Sequence, residues 1–140
     1  MITYFDTSAF IKLIINEIGT DEVESYWDDG GDVTSCQLLV VESTSALVRA
    51  RQADRISVAT YNSSISLVDD LYQRMEIVSI DENLLAEACA VTKLEKLRAY
   101  DAVHLAAALK IGASVFASAD VDLCRAANRQ GLAVFSPGLN

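Results

Sequence analysis

Four acidic residues stand where apolar stretches of the sequence begin or end. Asp6 follows "ITYF", Glu42 follows "LLVV", Asp101 precedes "AVHLAAAL" and Asp120 follows "VFASA". Four carboxylates that meet at one place repel each other and raise one another's pKa values, and a divalent cation relieves that repulsion. Oxygen ligands suit Mg²⁺ or Mn²⁺, which can activate water and neutralise a phosphodiester. The set therefore predicts a candidate metal and catalytic site made of Asp6, Glu42, Asp101 and Asp120.

Each of these acids, taken alone, also has a structural explanation. An aspartate just before a helix is commonly its N-cap, which stabilises the helix by about 1 kcal/mol, and Asp6, Asp101 and Asp120 all fit that role. Glu42 alone fits a solvated helix residue. However, Glu42 and Asp101 interrupt otherwise apolar faces, where an unpaired charge is costly. The convergence of the whole set, more than any single residue, favours the metal site.

Short strand-like segments alternate with helix-like segments along the chain. This pattern is typical of βα units around a parallel sheet, so we predict an α/β fold, a three-layer α/β/α sandwich with a mostly parallel central sheet. In such folds the chemistry lies at the carboxyl ends of the strands, which places Asp6 and Asp120 at one edge. For the second helix, Thr20 is expected as N-cap and Gly30–Gly31 as the stop. The predicted strands are "ITYFD", "DVTSC", "EIVSI", "ASVFASA" and "LAVFSP".

The length and composition indicate one ordinary globular unit. The 140 residues are 51% hydrophobic and 22% charged, which suits a single domain spanning residues 1–140. Three widely spaced cysteines and one histidine do not form a typical zinc site. The start "MITYFDTSAF" lacks the basic region of a signal peptide, and no stretch is uninterrupted enough for a membrane span. We therefore expect a cytoplasmic protein that does not bind a membrane.

The charge is unevenly distributed. The net charge is -9: eight acids and one lysine in residues 1–32 make -7, and twelve acids and ten bases in residues 33–140 make -2. This acidity argues against non-specific nucleic-acid binding, which depends on cationic side chains. A phosphate substrate bridged by metal remains compatible with it. The mean hydropathy of +0.25 is high for a small monomer and favours a homo-oligomer or a bound partner.

Two other acidic phosphoryl-transfer sites on similar folds fit the residues less well. A phosphatase of the haloacid dehalogenase type needs a second aspartate two residues after the first, and this chain has Ser8 there. A receiver domain needs an acidic pair after its first strand and a lysine after its last. Asp6 stands alone, and "VFSPGLN" contains no lysine.

Four segments of the sequence resemble those of PIN-domain ribonucleases, specifically toxins of the VapC type. They are "YFDTSAFIKL", "VVESTSAL", "LRAYDAVHLAAAL" and "FASAD" with "AANRQGLAVFSP", and they occur in the family's order over the whole chain. The resemblance implies an α/β/α sandwich and metal ligands at Asp6, Glu42, Asp101 and Asp120. We expect Asp101 to cap its helix and also to face the metal.

The resemblance also implies an activity and partners. It implies a Mg²⁺- or Mn²⁺-dependent endoribonuclease whose activated water attacks RNA and leaves a 5′-phosphate and a 3′-hydroxyl. Family members usually form homodimers and are inhibited by a small antitoxin protein. The competing hypothesis is a non-catalytic PIN module that binds RNA or a partner protein, which the complete acid set disfavours.

Several neighbouring residues have open roles. Ser8 and Ser118 fit either hydroxyls near the metal or helix caps, and His104 fits a packed or hydrogen-bonded residue better than a general base. Asp122 competes with Asp120 for the fourth acidic position, and the helical periodicity after it favours Asp120. Six basic residues fit either RNA contacts or solvated helix ends: Arg49, Arg51, Arg55, Lys93, Lys96 and Arg98.

Overall fold

The computed structural model describes residues 1–29 and 31–138, which form five strands and seven α-helices. The strands are β1 (Ile2–Phe5), β2 (Asp32–Cys36), β3 (Glu76–Val78), β4 (Val115–Ala117) and β5 (Ala133–Phe135). The helices are α1 (Thr7–Phe10), α2 (Thr20–Asp28), α3 (Leu38–Gln52), α4 (Val58–Tyr72), α5 (Glu82–Glu95), α6 (Ala99–Lys110) and α7 (Val121–Arg129), and a 3-10 turn at Ile11–Leu13 follows α1.

The five strands form one sheet in the order β3-β2-β1-β4-β5, and every pair is parallel. Thr3 of β1 is paired with Val33 on one side and with Val115 on the other. The mostly parallel sheet predicted from the sequence is thus fully parallel in the described part of the chain. Because β1 is followed by β2 on one side and is bordered by β4 on the other, the strand order reverses at β1. Such a point opens a crevice at the carboxyl ends of the strands.

Helices cover both faces of the sheet, which confirms the three-layer sandwich. Side chains alternate along a strand, so Tyr4 and Phe5, both fully buried, face opposite layers. Tyr4 stacks on Phe116 in the core shared with α5, α6 and α7. Phe5 contacts Trp27 in the core shared with α1, α2, α3 and α4.

Helix α6 is buried along most of its length because its side chains are small and apolar. Residues 102–108 are all buried, and four of the seven are alanine. A helix that is apolar over most of its surface packs between other elements, and α6 contacts both α5 and β2. Gly112 has a φ of 69° just past its end, as expected for the residue that follows a helix terminus.

The apolar periodicity of "TSAFIKLIINE" predicts a helix over that whole segment after β1, and the structure differs from this prediction. The segment forms the short α1 and the 3-10 turn, and Lys12 Nζ then donates to the Ile18 carbonyl at 2.7 Å. The prediction that Thr20 is an N-cap is wrong. Gly19 takes that position with a φ of 96°, because Thr20 Oγ1 accepts from the Glu17 amide and donates to the Lys12 carbonyl.

Helix α2 ends at Asp28. This end lies before the predicted stop at Gly30–Gly31, and Gly30 lies outside the described residues. Across residues 1–29 and 31–138, no helix combines the length and the hydropathy that a membrane crossing requires.

Candidate metal and nuclease site

A cavity of about 350 Å³ lies at the carboxyl ends of β1 and β4, and all four predicted acids line it. Asp6 directly follows β1, and Asp120 follows β4 and precedes α7. Glu42 comes from α3 on one face of the sheet, and Asp101 comes from α6 on the other. The fold thus brings together four carboxylates that span 114 sequence positions, from Asp6 to Asp120.

Asp6 is buried, with 4% of its surface exposed, and its carboxylate is held from three directions. It caps α1 by accepting the Ala9 amide at 3.0 Å. Ser8 Oγ donates to Oδ1 at 2.7 Å and Ser118 Oγ donates to Oδ2 at 2.6 Å. Burial raises the pKa of Asp6, and the His104 charge and these hydrogen bonds only partly offset that rise. The cavity therefore contains a carboxylate that a nearby cation would stabilise in its charged form.

Ser8 and Ser118 also join the ends of the two strands. The Ala119 amide donates to Ser8 Oγ at 2.9 Å, and the Asp120 amide donates to Ser118 Oγ at 3.0 Å. The sequence left open whether these hydroxyls lie near the metal or cap helices. The structure shows them in contact with the Asp6 carboxylate and with the backbone beside Asp120. Both serines therefore orient the Asp6 carboxylate.

Asp120 is the N-cap of α7, and its Oδ1 accepts the Leu123 amide at 3.1 Å. The helix begins at Val121, in agreement with the helical periodicity that follows Asp122 in the sequence. Asp122 lies in the first turn, where its side chain is 88% exposed and is 3.7 Å from Arg125. Asp120 lines the cavity and Asp122 does not.

The prediction that Asp101 caps α6 is wrong. The N-cap position belongs to Arg98, which is extended and makes no capping hydrogen bond through its side chain. The chain is still extended at Arg98, so Asp101 is the third residue of the helix, and its side chain lines the cavity. Burial raises its pKa and the charge of Asp120 raises it further, against a lowering by Arg98. Two of the four acids thus repel each other in this arrangement.

Glu42 is held by a partly buried hydrogen-bond network that the sequence did not indicate. Its Oε1 accepts from Thr7 Oγ1 at 2.7 Å and from His104 Nε2 at 2.6 Å. His104 Nδ1 lies 2.8 Å from the hydroxyl of Tyr4. Burial lowers the pKa of His104, but its hydrogen bonds with Cys36 and Glu42 outweigh this effect and raise the pKa to about 10. His104 is hydrogen-bonded, as the sequence favoured, and its partner is a residue of the site.

The oxygen donors that line the cavity suit a hard divalent cation, although the four carboxylates do not meet at one point. Within residues 1–29 and 31–138, no three His, Cys, Asp or Glu side chains are arranged to hold a metal ion. Arg98 lies 3.6 Å from Asp101 and 3.7 Å from Asp120, and Glu42 Oε1 is occupied by Thr7 and His104. Oxygen donors and mutual repulsion match Mg²⁺ or Mn²⁺.

Comparisons with known proteins point to one family. The PIN domain family profile matches residues 3–129, a range that contains all four acids. Ribonuclease VapC35 of Mycobacterium tuberculosis (strain ATCC 25618 / H37Rv) is 30% identical over 139 residues, covering 96% of each chain.

Two solved structures share the fold. Mycobacterium tuberculosis VapC20, described as a sarcin-ricin loop cleaving toxin, has a TM-score of 0.71 at 16% identity, covering 96% of this chain and 99% of that one. VapBC2 from Rickettsia felis, bound to a DNA fragment from its promoter, has a TM-score of 0.65 at 14% identity, covering 98% of this chain and 99% of that one.

Proposed function

Because the chain belongs to the PIN domain family, we propose that it is a metal-dependent endoribonuclease and the toxin of a toxin–antitoxin pair. The observation that carries the proposal is the cavity at the ends of β1 and β4, which is lined by four carboxylates from four separate elements. The relatives named as VapC ribonucleases support RNA as the substrate. The alternative of a non-catalytic RNA- or protein-binding module is disfavoured because no acidic position of the set is missing.

In this proposal, Asp6, Asp101 and Asp120 bind the metal most directly, and Glu42 completes the site or orients water. A Mg²⁺ or Mn²⁺ ion, when bound, supplies Lewis-acid activation of water and neutralises charge on the phosphodiester. Ser8 and Ser118 fix the Asp6 carboxylate through their hydroxyls, and Thr7 and His104 fix that of Glu42. The expected products carry a 5′-phosphate and a 3′-hydroxyl.

We further propose that the protein is a cytoplasmic homodimer inhibited by a small antitoxin. The toxin description of VapC20 supports the toxin role. Large apolar side chains remain exposed, including Ile18 (80%), Leu94 (69%) and Tyr100 (64%), which supports association with another chain. Expression of the protein alone should arrest growth. Co-expression of a small DNA-binding protein encoded by a neighbouring reading frame should relieve the arrest. Harmless expression without any partner would contradict the toxin role.

The nuclease proposal is tested by cleavage of RNA with and without metal. The purified protein should cleave end-labelled RNA in Mg²⁺ or Mn²⁺ and stop in excess EDTA. Asp101→Asn should reduce the rate at least about 100-fold, since loss of roughly 3 kcal/mol of charge stabilisation has that effect. Its circular dichroism and melting temperature should remain close to those of the wild type, because Asp101 is not the cap of α6. Cleavage that persists in EDTA would rule out the metal mechanism.

A further inference from the structure

Two arginines line the acidic cavity together with the four carboxylates. Arg49 belongs to α3 and Arg98 directly precedes α6. These two helices pack on opposite faces of the sheet. The arginines therefore approach the cavity from both faces, and the acids lie at the carboxyl edge of the sheet between them.

Arg98 lies close to Asp101 and Asp120 but is not held there by a hydrogen bond. Its side chain is 85% exposed, and its contacts with Asp101 and Asp120, at 3.6 and 3.7 Å, are longer than hydrogen bonds. Within the described residues its guanidinium makes no hydrogen bond, so its five N–H donors are available to a ligand. Exposed ion pairs of this kind contribute little to stability. Arg98 can therefore exchange these contacts for a ligand at little cost to the stability of the fold.

Arg49 lies two helical turns after Glu42, on the face that also contains Ala46, and all three residues line the cavity. Its side chain donates to Ser45 Oγ at 2.6 Å. No acidic partner of Arg49 is found in residues 1–29 and 31–138, whereas Arg51 and Arg125 each contact an aspartate on their own helix or just past its end. Arg49 thus brings to the cavity a positive charge that forms no close ion pair with a carboxylate of the described residues.

The overall charge gives RNA little non-specific attraction to this chain. The net charge is -9, of which residues 1–32 contribute -7. Cations at the site itself therefore matter for affinity. Arginine suits this role because its planar guanidinium can contact a phosphate through two N–H groups at once.

We propose that Arg49 and Arg98 bind the RNA phosphates on either side of the phosphodiester that is cut. This assignment rests on the proposed ribonuclease function and names the residues that hold its substrate. An RNA strand that crosses the cavity from one arginine to the other places the intervening phosphodiester among the four acids. Arg98 exchanges its long contacts with Asp101 and Asp120 for contacts with phosphate.

The test is the binding of a fluorescently labelled single-stranded RNA in EDTA, followed by anisotropy over a range of NaCl concentrations. Arg49→Gln and Arg98→Gln should each weaken binding about 10-fold, the value of one charge-assisted hydrogen bond. Each variant should also reduce the slope of log affinity against log salt by about 0.7, the value for one phosphate contact on single-stranded nucleic acid. Arg98→Lys should recover the slope, because lysine keeps the charge, and only part of the affinity.

Arg51→Gln and Arg125→Gln are matched controls, because each removes an arginine that is paired with an aspartate and does not line the acidic cavity. Both should bind with the wild-type slope. In metal, the two cavity variants should raise KM more than they lower kcat. A wild-type slope in both cavity variants would overturn the assignment and leave the ribonuclease proposal intact. A wild-type protein that neither binds nor cleaves RNA would overturn the ribonuclease proposal and this assignment with it.

Discussion

At the residue scale, the acids that line the cavity also make hydrogen bonds that belong to the fold. Asp6 and Asp120 each cap a helix, and Glu42 accepts hydrogen bonds from Thr7 and His104. A capping aspartate has its backbone at a helix start, where amide groups and the helix dipole stabilise negative charge. Two acids of the candidate site are therefore placed by the same local forces that begin α1 and α7.

The contrast between Asp120 and Asp122 gives the first prediction. Asp120→Asn should lower RNA cleavage at least about 100-fold, because its carboxylate lines the cavity and an amide carries no charge for a cation. The fold should survive because asparagine is also a good N-cap. Asp122→Asn is the matched control, since its side chain is 88% exposed and outside the cavity, and it should keep activity within about threefold.

Initial rates on folded, metal-saturated variants provide the measurement for both aspartates. A lower rate for Asp122→Asn than for Asp120→Asn would contradict the placement of Asp120 in the site.

His104 gives the second prediction. His104→Phe should lower the free energy of unfolding by about 2–3 kcal/mol, because it removes the donor to a partly buried Glu42 and leaves that carboxylate with one side-chain partner, Thr7. It should also lower cleavage, because Glu42 loses its orientation. His104→Gln retains a donor and should recover part of both losses.

Denaturant unfolding and cleavage rates measure the two effects of His104. Tyr4→Phe removes only the hydroxyl near His104 Nδ1 and should cost about 1 kcal/mol. A His104→Phe variant with wild-type stability and activity would show that Glu42 is oriented by Thr7 alone.

At the element scale, α5 and α7 are joined at their C-terminal ends by Glu95. Its carboxylate accepts from Arg129 at 2.8 Å and from Gln130 at 2.7 Å, and its side chain is only 5% exposed. These hydrogen bonds lower the pKa of Glu95. A lowered pKa stabilises the fold above the ordinary glutamate pKa, and this contribution is lost as the pH falls through the folded value.

The lowered pKa of Glu95 gives the third prediction. Glu95→Gln should lower the melting temperature at pH 7, and its difference from the wild type should shrink as the pH is lowered below about 4.3, the ordinary glutamate value. Calorimetry from pH 7 to pH 3 measures this difference. Glu87→Gln, an exposed position on the same helix, should melt like the wild type throughout. A pH-independent difference for Glu95→Gln would contradict the charge-based role.

At the scale of the whole molecule, the fold leaves an apolar face on α5. Its exposed side contains Ala86, Cys89, Ala90 and also Lys93, and Leu85 and Leu94, which are 46% and 69% exposed, flank these residues on the two edges. Exposed apolar surface of this kind is typical of association sites. This face and the mean hydropathy of +0.25 support the proposed homodimer.

The fourth prediction concerns that association. Light scattering should give twice the mass of one chain, and Leu85→Lys with Leu94→Lys should shift the protein toward monomer by placing two charges on the α5 face. Val58→Lys changes an equally exposed apolar residue on α4 and should leave the mass unchanged. A wild-type protein that stays monomeric at every concentration would exclude the homodimer.

The sequence by itself determined the features that depend on local interactions. The alternation of strand and helix segments predicted the sandwich, because side-chain periodicity is a property of each segment alone. The positions of Asp6 and Asp120 after strands predicted a shared edge, because parallel strands end on the same side. The predictions that Asp101 and Thr20 are N-caps were wrong. The N-caps are Arg98 and Gly19, because tertiary packing decides where the chain enters each helix.

Only the tertiary structure decided which distant groups meet. His104 and Glu42 are 62 positions apart, and Arg98 reaches Asp120 from the start of another helix. Such pairs depend on strand order and on how α3 and α6 dock against the sheet, and neither is encoded in the spacing of residues along one segment. The sequence therefore identified the four acids, and the packing of helices from both faces of the sheet decided the residues that hold, orient and neutralise them.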